Sequence, residues 1–296
     1  MGFRGVFLKW IESHLSGRRE FVKLFEINSD EFDIHMEVPQ GSVLGPLLFL
    51  CFIDDLESSI TCGFLEMFAD DSSIGVSARS PEELEQKVML ATDQFQSWCN
   101  KNNLISNLDK TIMVNFNIKR CHFPVAINVT DIKSESSTKF LGLYIDYRLN
   151  WNFHIDHVSK KLNSTYYALL QLRSEVDIKT LINVYYSLTY SHMTYSVIFW
   201  GNALNIYRIF VAQKRLIRCI FRLPFREHCT QTFKSQNILT FPCIYIFRCL
   251  LFVKHNFNNF QKNYNNHTYN TRSTSQLSNV KHKTKKFEGM PEPKFI

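Results

Sequence analysis

The chain has 296 residues, enough to bury a substantial core as one or two domains, and a formal charge of +7 that favours phosphate backbones without specifying any. Its eight cysteines include no Cys-x-x-Cys pair and follow no secretory leader, so reduced thiols in cytosol or nucleus are expected ahead of a disulfide framework, and secretion is not expected. The most apolar run, Val43 to Ile53, is far shorter than the roughly 20 residues a membrane-spanning helix needs, so no membrane association is expected.

In chain order, apolar residues at helical spacing predict a helix over 3–16. Arg18 to Ile27 is then expected to pair with Phe32 to Val38 across a turn at Asn28-Ser29-Asp30-Glu31. Val38-Pro39-Gln40-Gly41-Ser42-Val43-Leu44-Gly45-Pro46 reads as a loop entering a buried helix, with proline tolerated in the first turn. That helix ends near Asp54-Asp55, read as surface or orienting acids. Residues 64–78 form an acidic hairpin, and Ser80-Pro81-Glu82-Glu83 opens a long helix with Leu84, Val88, Ala91, Phe95 and Trp98 on one face. Strands near 111–117, 125–130 and 139–145 complete an antiparallel sheet with helices on one side, an α+β arrangement. From Asn152 the pattern is helical, with continuous helices over 178–200 and 207–223 until Pro224 stops the run. Past Phe260 the Asn-, Ser-, Thr- and Lys-rich composition predicts disorder.

The most informative feature is Asp70-Asp71 within Leu65-Glu66-Met67-Phe68-Ala69-Asp70-Asp71-Ser72-Ser73-Ile74. Flanking apolar residues place both carboxylates at a hairpin tip, where like charges repel and a divalent metal bound to nucleotide phosphates would neutralise them. A plain Asp turn is the competing account, because Asp side chains bond their own backbone. Cys121-His122 and His228-Cys229 lack a second pair at zinc spacing and are not assigned to a metal.

Four segments in order, Pro39-Gln40-Gly41, Phe68-Ala69-Asp70-Asp71, Asn107-Leu108-Asp109-Lys110-Thr111 and Lys139-Phe140-Leu141-Gly142, resemble the reverse transcriptase of non-LTR, LINE-type retrotransposons, especially jockey-like elements. Gly2 to Arg19, Gln213 to Arg218, Phe233-Lys234, Ile238-Leu239 and Tyr269 to Arg272 extend the resemblance over nearly the whole chain. It implies a partial right-hand polymerase palm over 1–148, a helical thumb and extension over 149–260, and a basic polar tail over 261–296.

The resemblance also implies roles. Asp70 and Asp71 would hold Mg²⁺ (or Mn²⁺), with Phe68 packed under the nucleotide and Gln40 and Gly41 lining the nascent base pair. Lys110 would protonate or neutralise the leaving pyrophosphate, and Phe140, Leu141 and Gly142 would form the primer-grip hairpin. Partners would be an RNA template, a DNA primer and deoxynucleoside triphosphates, with Lys160, Lys161, Arg173, Lys214, Arg215, Arg218 and Arg222 available to the duplex backbone. In the family a third Asp, in a Phe-Asp motif, and the fingers precede the segment where this chain starts. Enzyme activity of the chain itself is therefore open, and a non-catalytic nucleic-acid-binding module or a transposon remnant stands as the alternative. The drift to Ser106-Asn107-Leu108-Asp109 before Lys110 is mild.

Overall fold

Helix α1, Val6–Leu15, is the first element of the computed structural model, which describes residues 4–34, 37–39, 41–116 and 132–260. These residues divide into two units, Met1–Thr111 with Phe123–Lys133, and Ile112–His122 with Ser134–Ile296. The predicted strand at 125–130, Cys121-His122 and the tail past 260 lie outside the described residues.

In the first unit α1 leads into β1, Arg18–Glu20, which pairs antiparallel with β4, Phe32–Ile34, in the register Arg18 to Ile34. An inner hairpin intervenes: β2, Lys23–Leu24, pairs with β3, Ile27–Asn28, and the chain reverses at Phe25-Glu26, not at the expected 28–31. Phe25 takes the left-handed φ of 55° that this tight reversal demands, a conformation its side chain gave no reason to expect. Helices α2, Gly45–Ile53, and α3, Leu56–Ser59, follow. Strands β5, Phe64–Phe68, and β6, Asp71–Gly75, form the acidic hairpin, and α4, Pro81–Lys101, closes the unit. Ser80 caps α4 as its sequence dictates, its Oγ accepting the Glu83 N–H at 3.2 Å.

The core of this unit is small: Ile53, Leu56, Trp98 and Cys99 are buried, with Phe49, Leu65, Met67, Phe95 and Leu104 packed against them. Trp98 Nε1–H donates to Asp55 Oδ1 at 3.1 Å, so Asp55 orients the largest ring of that core. Thr61 and Gln94 exchange two bonds, Thr61 N–H to Gln94 Oε1 at 3.0 Å and Gln94 Nε2–H to Thr61 Oγ1 at 2.7 Å, latching the entry of the hairpin to α4.

Two-residue strands β7, Ile112–Met113, and β8, Lys133–Ser134, precede the hairpin of the second unit, β9, Ser137–Phe140, and β10, Leu143–Asp146. Among the described residues the strands pair only two by two, and the expected strand at 125–130 that would join them lies outside the described residues.

The second unit is otherwise helical: α5, Asn152–Leu172; α6, Ile178–Val184; a π-helical turn, Tyr185–Tyr190; α7, Ser191–Thr194; α8, Val197–Trp200; α9, Tyr207–Ile220; α10, Thr230–Ser235; and α11, Phe241–His255. The helix expected over 178–200 is therefore interrupted. A π turn buries Tyr185 and Thr189 together, and Ser196 at φ 48° breaks the helix where Trp200 Nε1–H reaches back to Tyr195 O at 3.0 Å. The core runs through Leu143, Ile155, Val158, Leu162, Leu169, Tyr185, Trp200, Leu216 and Phe241, among others. Buried Gln213 makes three bonds there: its Nε2–H groups donate to Tyr185 OH at 2.9 Å and Leu239 O at 2.8 Å, while Oε1 accepts the Phe241 N–H at 2.7 Å.

Asp146 ends β10 as a buried carboxylate. It accepts the N–H groups of Arg148, Asn150 and Trp151 at 2.8 to 3.1 Å, folding the turn that launches α5. One residue pair further in, the Tyr144 N–H points at His154 Nδ1 at 3.4 Å, and the His154 ring sits edge-to-face with Trp200 at 5.0 Å. Burial, then the neighbouring charge of His157, pulls His154 from the ordinary 6.5 down to about 4.

Removing the Asp146 carboxylate should leave three backbone donors without their partner and cost about 1–3 kcal/mol in urea denaturation for Asp146→Ala, with Asp146→Asn losing less. Because His154 is held neutral in the fold, the stability it confers is complete above its ordinary 6.5 and is lost as pH falls towards 4. Melting curves over that range should show an acid loss that His154→Gln reduces. In the hairpin, a Cβ on Gly63 would lie 2.5 Å from the Gly75 carbonyl oxygen, while one on Gly75 would strike only the Phe64 ring, which is exposed and free to swing. Gly63→Ala should thus destabilise the β5–β6 hairpin by about 1–3 kcal/mol, more than Gly75→Ala, as read by amide hydrogen exchange.

Candidate active site

The acidic hairpin is built by alternation. Leu65 pairs with Ile74 and Met67 with Ser72; on that face Leu65 and Met67 reach the small core. Glu66 with Ser73 and Phe68 with Asp71 occupy the opposite face. The loop has only two residues, Ala69 and Asp70, and Ala69 adopts φ 51°, the left-handed geometry of tight hairpins. This is strain in a non-glycine residue at the tip that carries both carboxylates. Asp70, Asp71 and Phe68 are exposed, Phe68 at 63 %, so an aromatic ring flanks Asp71 across the strand pair in open solvent.

Among the described residues neither Asp70 nor Asp71 joins an ion pair or a side-chain hydrogen bond. Two adjacent, unpaired carboxylates at a rigid turn are hard oxygen donors that suit a Mg²⁺ ion. Such an ion takes one or two carboxylates and completes its shell from substrate phosphates and water. The pair fits that partial role. No cluster of three or more His, Cys, Asp or Glu able to hold a metal occurs among the described residues.

Gly41 precedes α2 at φ 77°, with open space where a Cβ would stand, so the backbone angle and not crowding calls for glycine. Its neighbour Gln40 lies outside the described residues. The loop is braced from below, with Ser42 N–H donating to Pro39 O at 3.2 Å and Gly45 N–H to Ser42 Oγ at 2.9 Å. Lys110 sits exposed on a turn after α4 that Asn107 organises: its Oδ1 accepts the Lys110 N–H at 3.2 Å and its backbone O accepts Thr111 Oγ1–H at 2.9 Å. Phe68, Asp70 and Asp71 are thus gathered on one hairpin. Gly41 and Lys110 are each held by their own loop, with no hydrogen bond or ion pair to that hairpin among the described residues.

The segment Phe140-Leu141-Gly142 forms the tip of the β9–β10 hairpin in the second unit. Phe140 pairs with Leu143 around a two-residue loop whose residues Leu141 and Gly142 both have positive φ, 44° and 83°. Glycine is needed here for its angle and because Tyr195 stands 3.3 Å from where its Cβ would project. Tyr195 OH donates to Leu141 O, fixing the tip. Sequence spacing carries no sign of Tyr195, since the contact joins positions 54 residues apart.

The basic residues on and just after α9 contact rings and carbonyls, Arg215 and Arg222 while remaining exposed. Lys214 lies over the Phe210 ring at 4.5 Å and Arg215 over Tyr166 at 4.6 Å, while Arg218 Nε–H donates to Glu227 O at 3.0 Å and Arg222 to Arg173 O at 2.7 Å. These cations tie helices and loops together.

Comparison with known proteins accords with the motif order. Residues 3–145 match the family described as reverse transcriptase (RNA-dependent DNA polymerase). The chain is 29 % identical over 220 residues, 71 % of its length and 24 % of the relative's, to the probable RNA-directed DNA polymerase from transposon X-element of Drosophila melanogaster. It is 27 % identical to the probable RNA-directed DNA polymerase from transposon BS of the same species, over 78 % of the chain and 27 % of the relative. With the RNA-directed DNA polymerase from mobile element jockey of that species it shares 24 % identity, over 72 % of the chain and 25 % of the relative. The chain spans about a quarter of the length of these curated relatives. No solved structure matches it significantly. No helix among the described residues is long and apolar enough to cross a membrane. Residues 3–145 thus match the reverse transcriptase family, and most of the chain is similar to the RNA-directed DNA polymerases of the X-element, BS and jockey mobile elements.

Proposed function

We propose that this chain supplies the palm and thumb of a reverse transcriptase that extends a DNA primer on an RNA template from deoxynucleoside triphosphates, as the names of its relatives indicate for them. The observation that carries the reading is the two-residue hairpin tip, which holds Asp70 and Asp71 exposed and unpaired with Phe68 across from Asp71. Asp70 and Asp71 would hold Mg²⁺, with Mn²⁺ as a substitute. When bound, the ion lowers the barrier by neutralising triphosphate charge and acidifying the primer hydroxyl.

The protein's own groups supply the rest. Phe68 offers a flat apolar surface beneath the incoming nucleotide, and Gly41, with Gln40, brings bare backbone close to the new base pair, sensing its shape without reading its sequence. Lys110 on its exposed turn places an ammonium donor for the oxygen of the leaving pyrophosphate. The Phe140-Leu141-Gly142 tip, pinned by Tyr195, supports the primer end. A set of only two carboxylates among the described residues favours one competing reading, a module that holds a duplex without chemistry.

Mn²⁺ titration followed by electron paramagnetic resonance, in parallel with primer extension on an RNA template, tests this. Asp70→Asn should weaken Mn²⁺ binding about tenfold or more and abolish incorporation, with the melting profile unchanged because the tip is exposed. Unaltered metal affinity in the Asp70→Asn, Asp71→Asn double variant would refute the site. Duplex binding without incorporation by the parent chain would select the non-catalytic reading.

A further inference from the structure

We propose that α11 is a docking stripe for an acidic amphipathic helix of a partner protein, which seats its apolar seam on Cys243, Ile246, Phe247 and Leu250 and turns its carboxylates towards Lys254. Helix α11 is apolar nearly all round: over Phe241–His255 it has no acid, and its only basic side chains are Arg248, Lys254 and His255. A helix of that composition belongs between two bodies, yet the second unit covers one side of it. Phe241, Ile244 and Cys249 are buried, and Tyr245 packs against the same core, where α11 meets α7, α8 and α9. On the other side Ile246, Phe247 and Leu250 are 55 %, 45 % and 63 % exposed, and Cys243 is exposed with them.

Spacing fixes the shape of the partner. Positions 243, 246, 247 and 250 follow the i, i+3, i+4, i+7 pattern, so the four side chains form one row along two turns, and Lys254 continues it a turn further. Rows of side chains three and four apart are the ridges that interlock with a second helix. Single exposed apolar residues are ordinary on a protein surface; a contiguous row of them on one helix marks a contact surface.

Charge and area choose among the possible occupants. From His228 to Phe287 the sequence contains no Asp or Glu, so α10, α11 and the chain around them present cations alone. Arg248 and Lys254 are exposed and take part in no ion pair among the described residues. Residues 261–296 carry seven Lys and Arg against two Glu, so the same cations repel that segment. A second copy brings the same charge, and a row of four side chains falls far short of the roughly 800 Å² that each partner of a stable dimer buries. A helix whose seam is flanked by Asp or Glu meets both conditions: it matches the row in length, and its carboxylates face cations that have no counter-charge. The inference uses α11 alone and is independent of Asp70, Asp71 and nucleotide incorporation.

Fluorescence anisotropy of the full chain with two labelled, side-chain-stapled helices of about five turns tests this. Both carry Leu at i, i+3, i+4 and i+7; one has Glu at the flanking positions and the other Lys. The Glu-flanked helix should bind with a Kd on the order of 10 μM, and the Lys-flanked one about tenfold or more weaker at low salt, with the gap closing as salt rises. Ile246→Asp with Leu250→Asp should abolish binding and leave the melting profile unchanged, because both side chains are exposed. Lys254→Glu should cut the preference for the Glu-flanked helix about threefold or more. This substitution keeps the apolar row, so it decides even if the double Asp variant fails to fold. Equal affinity for the two helices, or binding that survives the folded double Asp variant, overturns the proposal. Dimerisation in sedimentation velocity, or cosedimentation with phosphatidylserine vesicles, that the double Asp variant removes would assign the row to a second copy or to a bilayer surface and also overturn it.

Discussion

The second unit depends on one buried carboxylate. Asp146 gathers the N–H groups of three following residues, which lets the chain leave β10, pass Leu149 and Trp151 in left-handed conformations, and enter α5. Left-handed non-glycine residues carry a cost, and charge-assisted bonds inside a low-dielectric core offset it. The hairpin and helix of that unit meet at this junction. It sets the β9–β10 hairpin against α5, so Tyr144 meets His157 and the Leu141-Gly142 tip comes under Tyr195.

The first unit solves a different problem with fewer contacts. Its buried cluster is only four residues, yet Leu65 and Met67 join it from one face of the acidic hairpin, which leaves Phe68 and Asp71 on the other. Strand alternation thus does two jobs with one segment, anchoring the hairpin and presenting the carboxylates. The left-handed Ala69 disfavours the tip in isolation, and the cost is carried by the hairpin that holds Asp70 and Asp71 side by side.

Much of the local structure was legible from residues alone. The Ser80-Pro81 start of α4, the helical pattern from Asn152 and the stop before Pro224 are short-range effects of capping, periodicity and ring sterics. The acidic hairpin was legible for the same reason. Expectations failed where the deciding contact was remote or where side-chain type gave a false cue. Phe25 reverses the chain without a turn former, and the apolar stretch 178–200 is broken by a π turn that seats Tyr185 for Gln213. Nor did sequence show that Arg215, Arg218 and Arg222, expected to be available to a duplex backbone, also contact a ring and carbonyls of other segments.

Sequence by itself determined the resemblance of the chain to reverse transcriptases, its α+β character and the hairpin that carries Asp70 and Asp71, because ordered motifs and hydrophobic periods are written in neighbouring residues. Only the tertiary structure decided which charges are free to act. Availability depends on what approaches each group from far along the chain: Arg222 is bound by the end of α5, while Lys254 faces solvent beside an apolar row of α11 that the other described residues of the second unit leave bare. A net charge is a property of composition; a docking face exists only where folding leaves apolar side chains uncovered and the charges beside them without a counter-ion.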